Sequence, residues 1–107
     1  MKGPPLMKKT KDSVLQFGDV GETVNLICEV SSVPVPNNVQ WFYNNFLVDS
    51  KTEHYQILYD KREDGLTSTL IIKNSLGSDF GDYNCSALNE FGADHVIVTL
   101  QNQGKMF

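Results

Sequence analysis

Between residues 20 and 100 the apolar and polar positions alternate in short runs broken by turn-forming residues. This is the period-2 signature of half-buried strands, and no window sustains the 3.6-residue period of a helix. Val24, Leu26, Cys28 and Val30 fall on one face of a first run, with Thr23, Asn25 and Glu29 on the other. Ser31 to Asn38 holds Pro34, Pro36 and an Asn pair, which predicts a loop. Val39, Trp41 and Tyr43 share a face in the next run, and Asn44-Asn45 turns the chain into Phe46-Leu47-Val48. A run from Glu53 to Tyr59 leads to a polar turn over Asp60 to Gly65. Leu70 and Ile72 then share a face with Leu76, at the end of the following connection. Tyr83, Cys85 and Ala87 alternate in the same way, Asn89-Glu90-Phe91-Gly92 closes a hairpin, and Val96, Val98 and Leu100 give one face of a last strand. With an edge strand drawn from the first seventeen residues, the pattern predicts an all-β, two-sheet antiparallel sandwich of about eight strands.

The length of 107 residues supplies one core, and a composition of 40% hydrophobic and 21% charged residues is that of a folding globular chain. The expected division is a linker arm with the start of an edge strand over 1–12, one domain over 13–102, and a frayed tail over 103–107. No internal repeat is present. No stretch approaches the roughly 20 apolar residues of a membrane-spanning helix, and Met1-Lys2-Gly3-Pro4-Pro5 lacks an apolar signal core. Such segments are therefore expected outside this chain, and the chain is expected to be part of a longer protein.

Charge changes the picture of possible partners. Four lysines occupy the first eleven residues, leaving five basic against thirteen acidic residues from Asp12 onward. An acidic body argues against nucleic acid, heparin-like polyanions and anionic lipid, all of which need a basic surface.

Candidate chemistry is sparse. Two cysteines 57 positions apart leave either one disulfide or two free thiols, and they cannot make a four-thiolate zinc site. His54 and His95 fall on separate runs without metal-ligand spacing, and read as surface imidazoles. Asp60, Glu63 and Asp64 lack the order of a calcium loop, and Gly18-x-x-Gly21 lacks the following Lys-Ser or Lys-Thr of a phosphate cradle. No nucleophile beside a base or split carboxylate pair is legible, so no enzyme activity, catalytic residue, metal or cofactor is expected.

The constellation Cys28, Trp41 and Asp79-Phe80-Gly81-Asp82-Tyr83-Asn84-Cys85 resembles the I-set immunoglobulin family over nearly the whole chain. That resemblance implies a Cys28–Cys85 disulfide between the sheets, Trp41 packed against it, and a tyrosine corner in which Tyr83 satisfies backbone near Asp79. Asn89 and Gly92 fit the family's final hairpin, with the Asn side chain bracing the turn and Gly accepting a positive φ. A finer similarity is to later, non-tip domains of nephrin and Neph-type adhesion receptors. It rests on Pro4-Pro5, Pro34-x-Pro36, Glu53-x-Tyr55, Ser68-Thr69-Leu70, Asp79-Phe80 and Tyr83-Asn84-Cys85-Ser86-Ala87-x-Asn89-x-Phe91-Gly92. Leu88 departs from the Trp of the closest Neph-like domains.

The resemblance implies a non-catalytic module of a single-pass receptor on the extracellular face of the plasma membrane. Its partners would be neighbouring domains and, through the full-length receptor, other cell-surface immunoglobulin-superfamily proteins. Asn84-Cys85-Ser86 fits the N-glycosylation pattern, and strand alternation turns Asn84 outward when Tyr83 and Cys85 point in. A sugar there favours a spacer over an adhesive tip. Outward apolar residues, Ile27 and Ile71 on one sheet and Phe42, Leu88 and Ile97 on the other, are candidate contact patches. The alternatives are an I-set domain of an intracellular muscle scaffold and a ligand-binding ectodomain of a receptor kinase.

Overall fold

The computed structural model describes residues 2–36 and 39–103 and contains nine strands in two facing sheets. The first sheet has the order β1-β3-β7-β6, from β1 (Gly3–Met7), β3 (Val24–Val33), β7 (Gly65–Ile72) and β6 (Tyr55–Arg62). The second has the order β2-β9-β8-β4-β5, from β2 (Leu15–Gly18), β9 (Gly92–Asn102), β8 (Gly81–Asn89), β4 (Gln40–Tyr43) and β5 (Phe46–Leu47). All pairings are antiparallel except β2 with β9.

Alternation decides the core. Val24, Leu26, Cys28 and Val30 from β3 and Leu66, Leu70 and Ile72 from β7 face Trp41, Tyr83, Cys85, Ala87, Val96, Val98 and Leu100 of the other sheet. Each fully buried aliphatic side chain in this layer contributes about 1.5–3 kcal/mol relative to exposure.

The expected single edge strand is two strands in different sheets. β1 pairs with β3, and its register shifts between Gly3 and Leu6, where Pro4 and Pro5 have no N–H to donate. A one-turn helix α1 (Lys11–Val14) then carries the chain across to β2, which runs beside β9 with Leu15 opposite Thr99 and Phe17 opposite Gln101. The Ser13 hydroxyl receives the Thr10 N–H at 2.8 Å and fixes the start of that turn.

Three local expectations change. β3 runs on through Ser31 and Ser32 to Val33, because Ser31 has a partner on each side, Leu6 and Gly65. The part of the expected loop at Asn37 and Asn38 lies outside the described residues. Asp60 to Arg62 continue β6 opposite Thr67 to Gly65, so only Glu63 and Asp64 make the turn. Leu76 is exposed where a core position was expected, since Ser75 is the residue turned inward, with its hydroxyl donating to the Asp19 carbonyl at 2.8 Å. Of the expected frayed tail, Gln103 donates its N–H to the Gly18 carbonyl at 2.8 Å, and residues 104–107 lie outside the described residues.

Candidate functional site

The Cys28–Cys85 disulfide joins β3 to β8 with a Cα–Cα distance of 6.6 Å. Trp41 lies opposite Cys85 on β4, and Ser68 lies opposite Cys28 on β7. Trp41 Nε1 donates to Ser68 Oγ at 3.0 Å, so the buried indole N–H and the buried hydroxyl satisfy each other across the core. Closing a loop of this length is worth about 4 kcal/mol in the chain-entropy account.

Asp79 organises the end of the sandwich. It closes the short 3₁₀ turn Gly77–Asp79 before β8 and is itself buried. Its Oδ2 receives the Leu76 N–H at 2.8 Å and lies 2.7 Å from His54 Nε2, while Oδ1 receives the Tyr55 hydroxyl at 3.1 Å. The Asp79 carbonyl receives the Tyr83 hydroxyl at 2.6 Å. Tyr43 stacks on Tyr83 with ring centroids 4.5 Å apart and holds its own hydroxyl 2.6 Å from the Ser78 and Phe80 carbonyls. Gly81, with φ of +132°, lets the backbone leave this cluster in a conformation that side-chain-bearing residues rarely adopt.

The phenols feel this crowding. Burial, with the nearby Asp79 carboxylate adding to it, pushes Tyr55 up to about 12. Burial first, then Tyr55 and Asp79, pushes Tyr83 well above the ordinary tyrosine range, and burial likewise raises Tyr43 and Tyr59. The phenols of Tyr43, Tyr55 and Tyr83, the imidazole and a backbone N–H thus all point at the Asp79 carboxylate or at nearby carbonyls, tying β4, β6 and β8 to the turn before β8.

The opposite pole is tied by Asn89. Its Nδ2 donates to the Gly3 carbonyl at 2.8 Å and lies 2.9 Å from Ser32 Oγ and 3.2 Å from the Pro34 carbonyl, and its Oδ1 receives the Phe91 N–H at 2.9 Å. Gly92 follows with φ of +152°, and a Cβ there would stand 3.1 Å from Pro4. Below this pole Asp94 receives the Met7 N–H at 2.8 Å and its neighbour's, that of His95, at 2.9 Å, with Lys9 Nζ at 3.2 Å. Burial works against its ionisation, but these hydrogen bonds and the lysine charge prevail and hold the carboxyl below its usual range.

On the outer face of the five-stranded sheet, Asn84 stands in one cross-strand row with Leu47, Phe42 and Ile97. Asn84 is half-buried, and its Oδ1 is shut away from solvent without a hydrogen-bond partner. Such an orphaned acceptor costs about 1–3 kcal/mol. A shallow groove of about 190 Å³ opens beside it, lined by Phe42, Asn44, Asn45, Asp82, Asn84 and Ile97. Of the expected patch, Phe42 and Ile97 flank Asn84, whereas Leu88, 70% exposed, lies four residues further along β8 opposite Ala93. On the other sheet, Ile27 and Leu58 flank Thr69 in one row, and Ile71 lies two residues along β7 from Thr69. A second groove of about 340 Å³ lies under the β4–β5 hairpin, between Tyr43, Phe46, Val48, Thr52 and Tyr55. Asn44 and Asn45 turn this hairpin with φ of 51° and 67°.

Sequence reasoning missed His54 and Tyr55 as partners of Asp79 because they lie 25 and 24 positions away, and no local spacing joins them. The family resemblance assigns Asn89 only the bracing of its turn, whereas its contacts to Gly3 and Pro34 span 86 and 55 positions. Among the described residues no group of three or more His, Cys, Asp or Glu side chains is placed to hold a metal ion.

A family profile described as "Immunoglobulin domain" matches residues 4–89. The chain is 37% identical to the Irregular chiasm C-roughest protein of Drosophila melanogaster over 94% of this chain and 13% of that protein. It is 33% identical to human Kin of IRRE-like protein 3 over 97% of this chain and 13% of that protein. A titin homologue of Caenorhabditis elegans is 33% identical over 84% of the chain. The chain thus spans about an eighth of the first two relatives' length. Among solved structures, a crystal structure of Dpr2 Ig1-Ig2 in complex with DIP-Theta Ig1-Ig3 aligns with a TM-score of 0.83 at 21% identity, covering 94% of this chain and 33% of that one. At that identity the likeness speaks for the fold alone.

Proposed function

The chain belongs to the immunoglobulin-domain family, and from that premise we propose that it is a non-catalytic extracellular module of a multidomain cell-surface adhesion receptor, acting as a spacer that positions other domains. The observation that carries this reading is the similarity to Irregular chiasm C-roughest and Kin of IRRE-like proteins over nearly the whole chain, at 13% of their length. One domain among several in such a receptor holds its neighbours at a set distance. Its direct partners are then the adjoining domains, and other immunoglobulin-superfamily surface proteins engage the receptor as a whole.

The first strand split between two sheets, with only the short β5 beyond β4, supports the I-set assignment. The Cys28–Cys85 disulfide fits an oxidising compartment and a single-pass receptor's outer side. The Asn84-Cys85-Ser86 sequon on the outer face agrees with a spacer, because a sugar there obstructs that face.

A second reading, an intracellular muscle scaffold domain, draws on the titin homologue. Protein from its native compartment separates the two: the adhesion reading expects a mass gain of two protons on reduction, and the scaffold reading expects thiols already free. The spacer role is tested by surface plasmon resonance of the glycosylated domain against candidate receptor ectodomains. No binding below micromolar concentration is expected, and sub-micromolar binding by this domain alone would overturn the role.

A further inference from the structure

Asn84 is anomalous for its position. It occupies a central strand, between β4 and β9, where asparagine is a poor strand former. Its row neighbours Phe42, Leu47 and Ile97 are apolar, and its amide oxygen is enclosed and unpartnered. Nδ2, which is not among the enclosed and unpartnered side-chain atoms, is the atom that a sequon joins to a sugar. An apolar residue would satisfy the row better, so the amide calls for a function.

We propose that Asn84 carries an N-linked glycan whose first N-acetylglucosamine is seated in the adjoining groove, with its apolar ring face against Phe42 and Ile97. This rests on the extracellular reading above, since the transfer occurs only on a chain entering the secretory pathway. In that step Asn84 Nδ2 forms a bond to the anomeric carbon of a lipid-linked oligosaccharide diphosphate. The carbon–oxygen bond to phosphate breaks, the lipid diphosphate leaves with the electron pair, and one Nδ2 proton passes to a base of the transferase. Ser86, the hydroxyl residue of the sequon, stands on the same face two residues on.

The seat follows from reach. Cross-strand neighbours in a sheet have Cβ atoms about 4.5–5.5 Å apart. A ring bonded to Nδ2 therefore has Phe42 on one side and Ile97 on the other within reach. A pyranose has an apolar face and a hydroxyl-bearing rim. The groove offers the matching surfaces, with Phe42 and Ile97 as an apolar wall and Asn44, Asn45 and Asp82 as a polar margin. Folding after modification buries the amide oxygen and leaves the substituted nitrogen facing out.

The test uses the chain secreted from mammalian cells. Glycopeptide mass spectrometry reads occupancy, and endoglycosidase trimming to a single N-acetylglucosamine isolates the seated ring. The expected results are an occupied Asn84, a trimmed protein melting about 4 °C above the unglycosylated Ser86→Ala variant, and loss of that increment in Phe42→Ala. Proton NMR of the trimmed protein is expected to show N-acetylglucosamine resonances shifted upfield by the Phe42 ring, a readout that needs no folded Phe42 variant. An unoccupied Asn84 in a secreted, disulfide-bonded domain overturns the proposal while leaving the extracellular reading standing. Occupancy without ring-shifted sugar protons, or with an increment indifferent to Phe42, overturns the seat. A chain that is not secreted and carries free thiols would overturn the underlying reading as well. A protein docking on bare Phe42 and Ile97 equally well with and without the sugar would show that the face serves a protein partner, against the proposal.

Discussion

His54 Nε2 lies 2.7 Å from Asp79 Oδ2, joining the start of β6 to the turn before β8. The same carboxylate accepts the Leu76 N–H and the Tyr55 hydroxyl, so one buried side chain takes three donors and ties β6 to the turn before β8. Asp79→Ala leaves all three donors without their acceptor, and a loss of about 3 kcal/mol is expected in urea unfolding at pH 7. A double-mutant cycle with His54→Ala is expected to return a coupling of about 1 kcal/mol. Additive losses would show that the imidazole contributes nothing through the carboxylate.

Tyr83→Phe removes only the hydroxyl that reaches the Asp79 carbonyl and leaves the ring stacked on Tyr43. The expected cost is about 1–3 kcal/mol, from a buried carbonyl deprived of its donor. A shift in the urea midpoint with unchanged slope is the expected signature.

All four tyrosines have pKa values raised above 10 by burial first of all. A raised folded-state pKa contributes stability that is complete below the unfolded value near 10 and is lost as pH rises toward the folded value. Absorbance titration of native protein is expected to show no phenol ionising at the ordinary value. Unfolding free energy is expected to fall steadily above pH 10, and Tyr55→Phe is expected to soften that fall.

Asp94 gives the opposite sign. Its carboxyl titrates below the ordinary value near 4, so its contribution is present above that value and lost as pH falls through the depressed one. Asp94→Ala is expected to destabilise at pH 7, where the Met7 N–H loses its partner, and to flatten the acid limb of the stability curve. Thermal melts from pH 7 to pH 2 measure both.

Reducing the Cys28–Cys85 bond is expected to add two protons of mass and cost about 2–5 kcal/mol, read from melts with and without reductant. Cys28→Ala/Cys85→Ala, which bypasses the reductant, is expected to lose a similar amount.

The parts of the fold governed by local alternation were readable in advance. Val24 to Val30 and Tyr83 to Ala87 face inward as their period requires, and Asn44-Asn45 and Asn89 to Gly92 turn the chain where their residues demand. What stayed hidden depends on pairing across the sequence. Nothing near Leu15 announces that the first strand will change sheets, because its partner Thr99 is supplied by the last strand. Ser31 and Ser32 look like loop residues until Gly65 and β1 supply their ladder. Leu76 lies exposed because Ser75 takes the inward position, held by the Asp19 carbonyl 56 positions away, which no local pattern announces. At the candidate glycan site the sequon and outward direction of Asn84 were legible, but the groove needs β4, β8 and β9 side by side.

Gln16 completes what the change of sheets leaves open. After Lys8 gives its N–H to the Glu29 carbonyl, β1 departs and the flank of β3 at Ile27 loses its strand neighbour. The Gln16 amide fills that place, donating from Nε2 to the Ile27 carbonyl at 2.9 Å and receiving the Ile27 N–H on Oε1 at 3.0 Å. Two side-chain atoms thus imitate one rung of a ladder. An unguarded rung beside the exposed Ile27 would be a template for a strand from another molecule. The glutamine lets the domain divide its first strand between two sheets without leaving that rung of β3 bare.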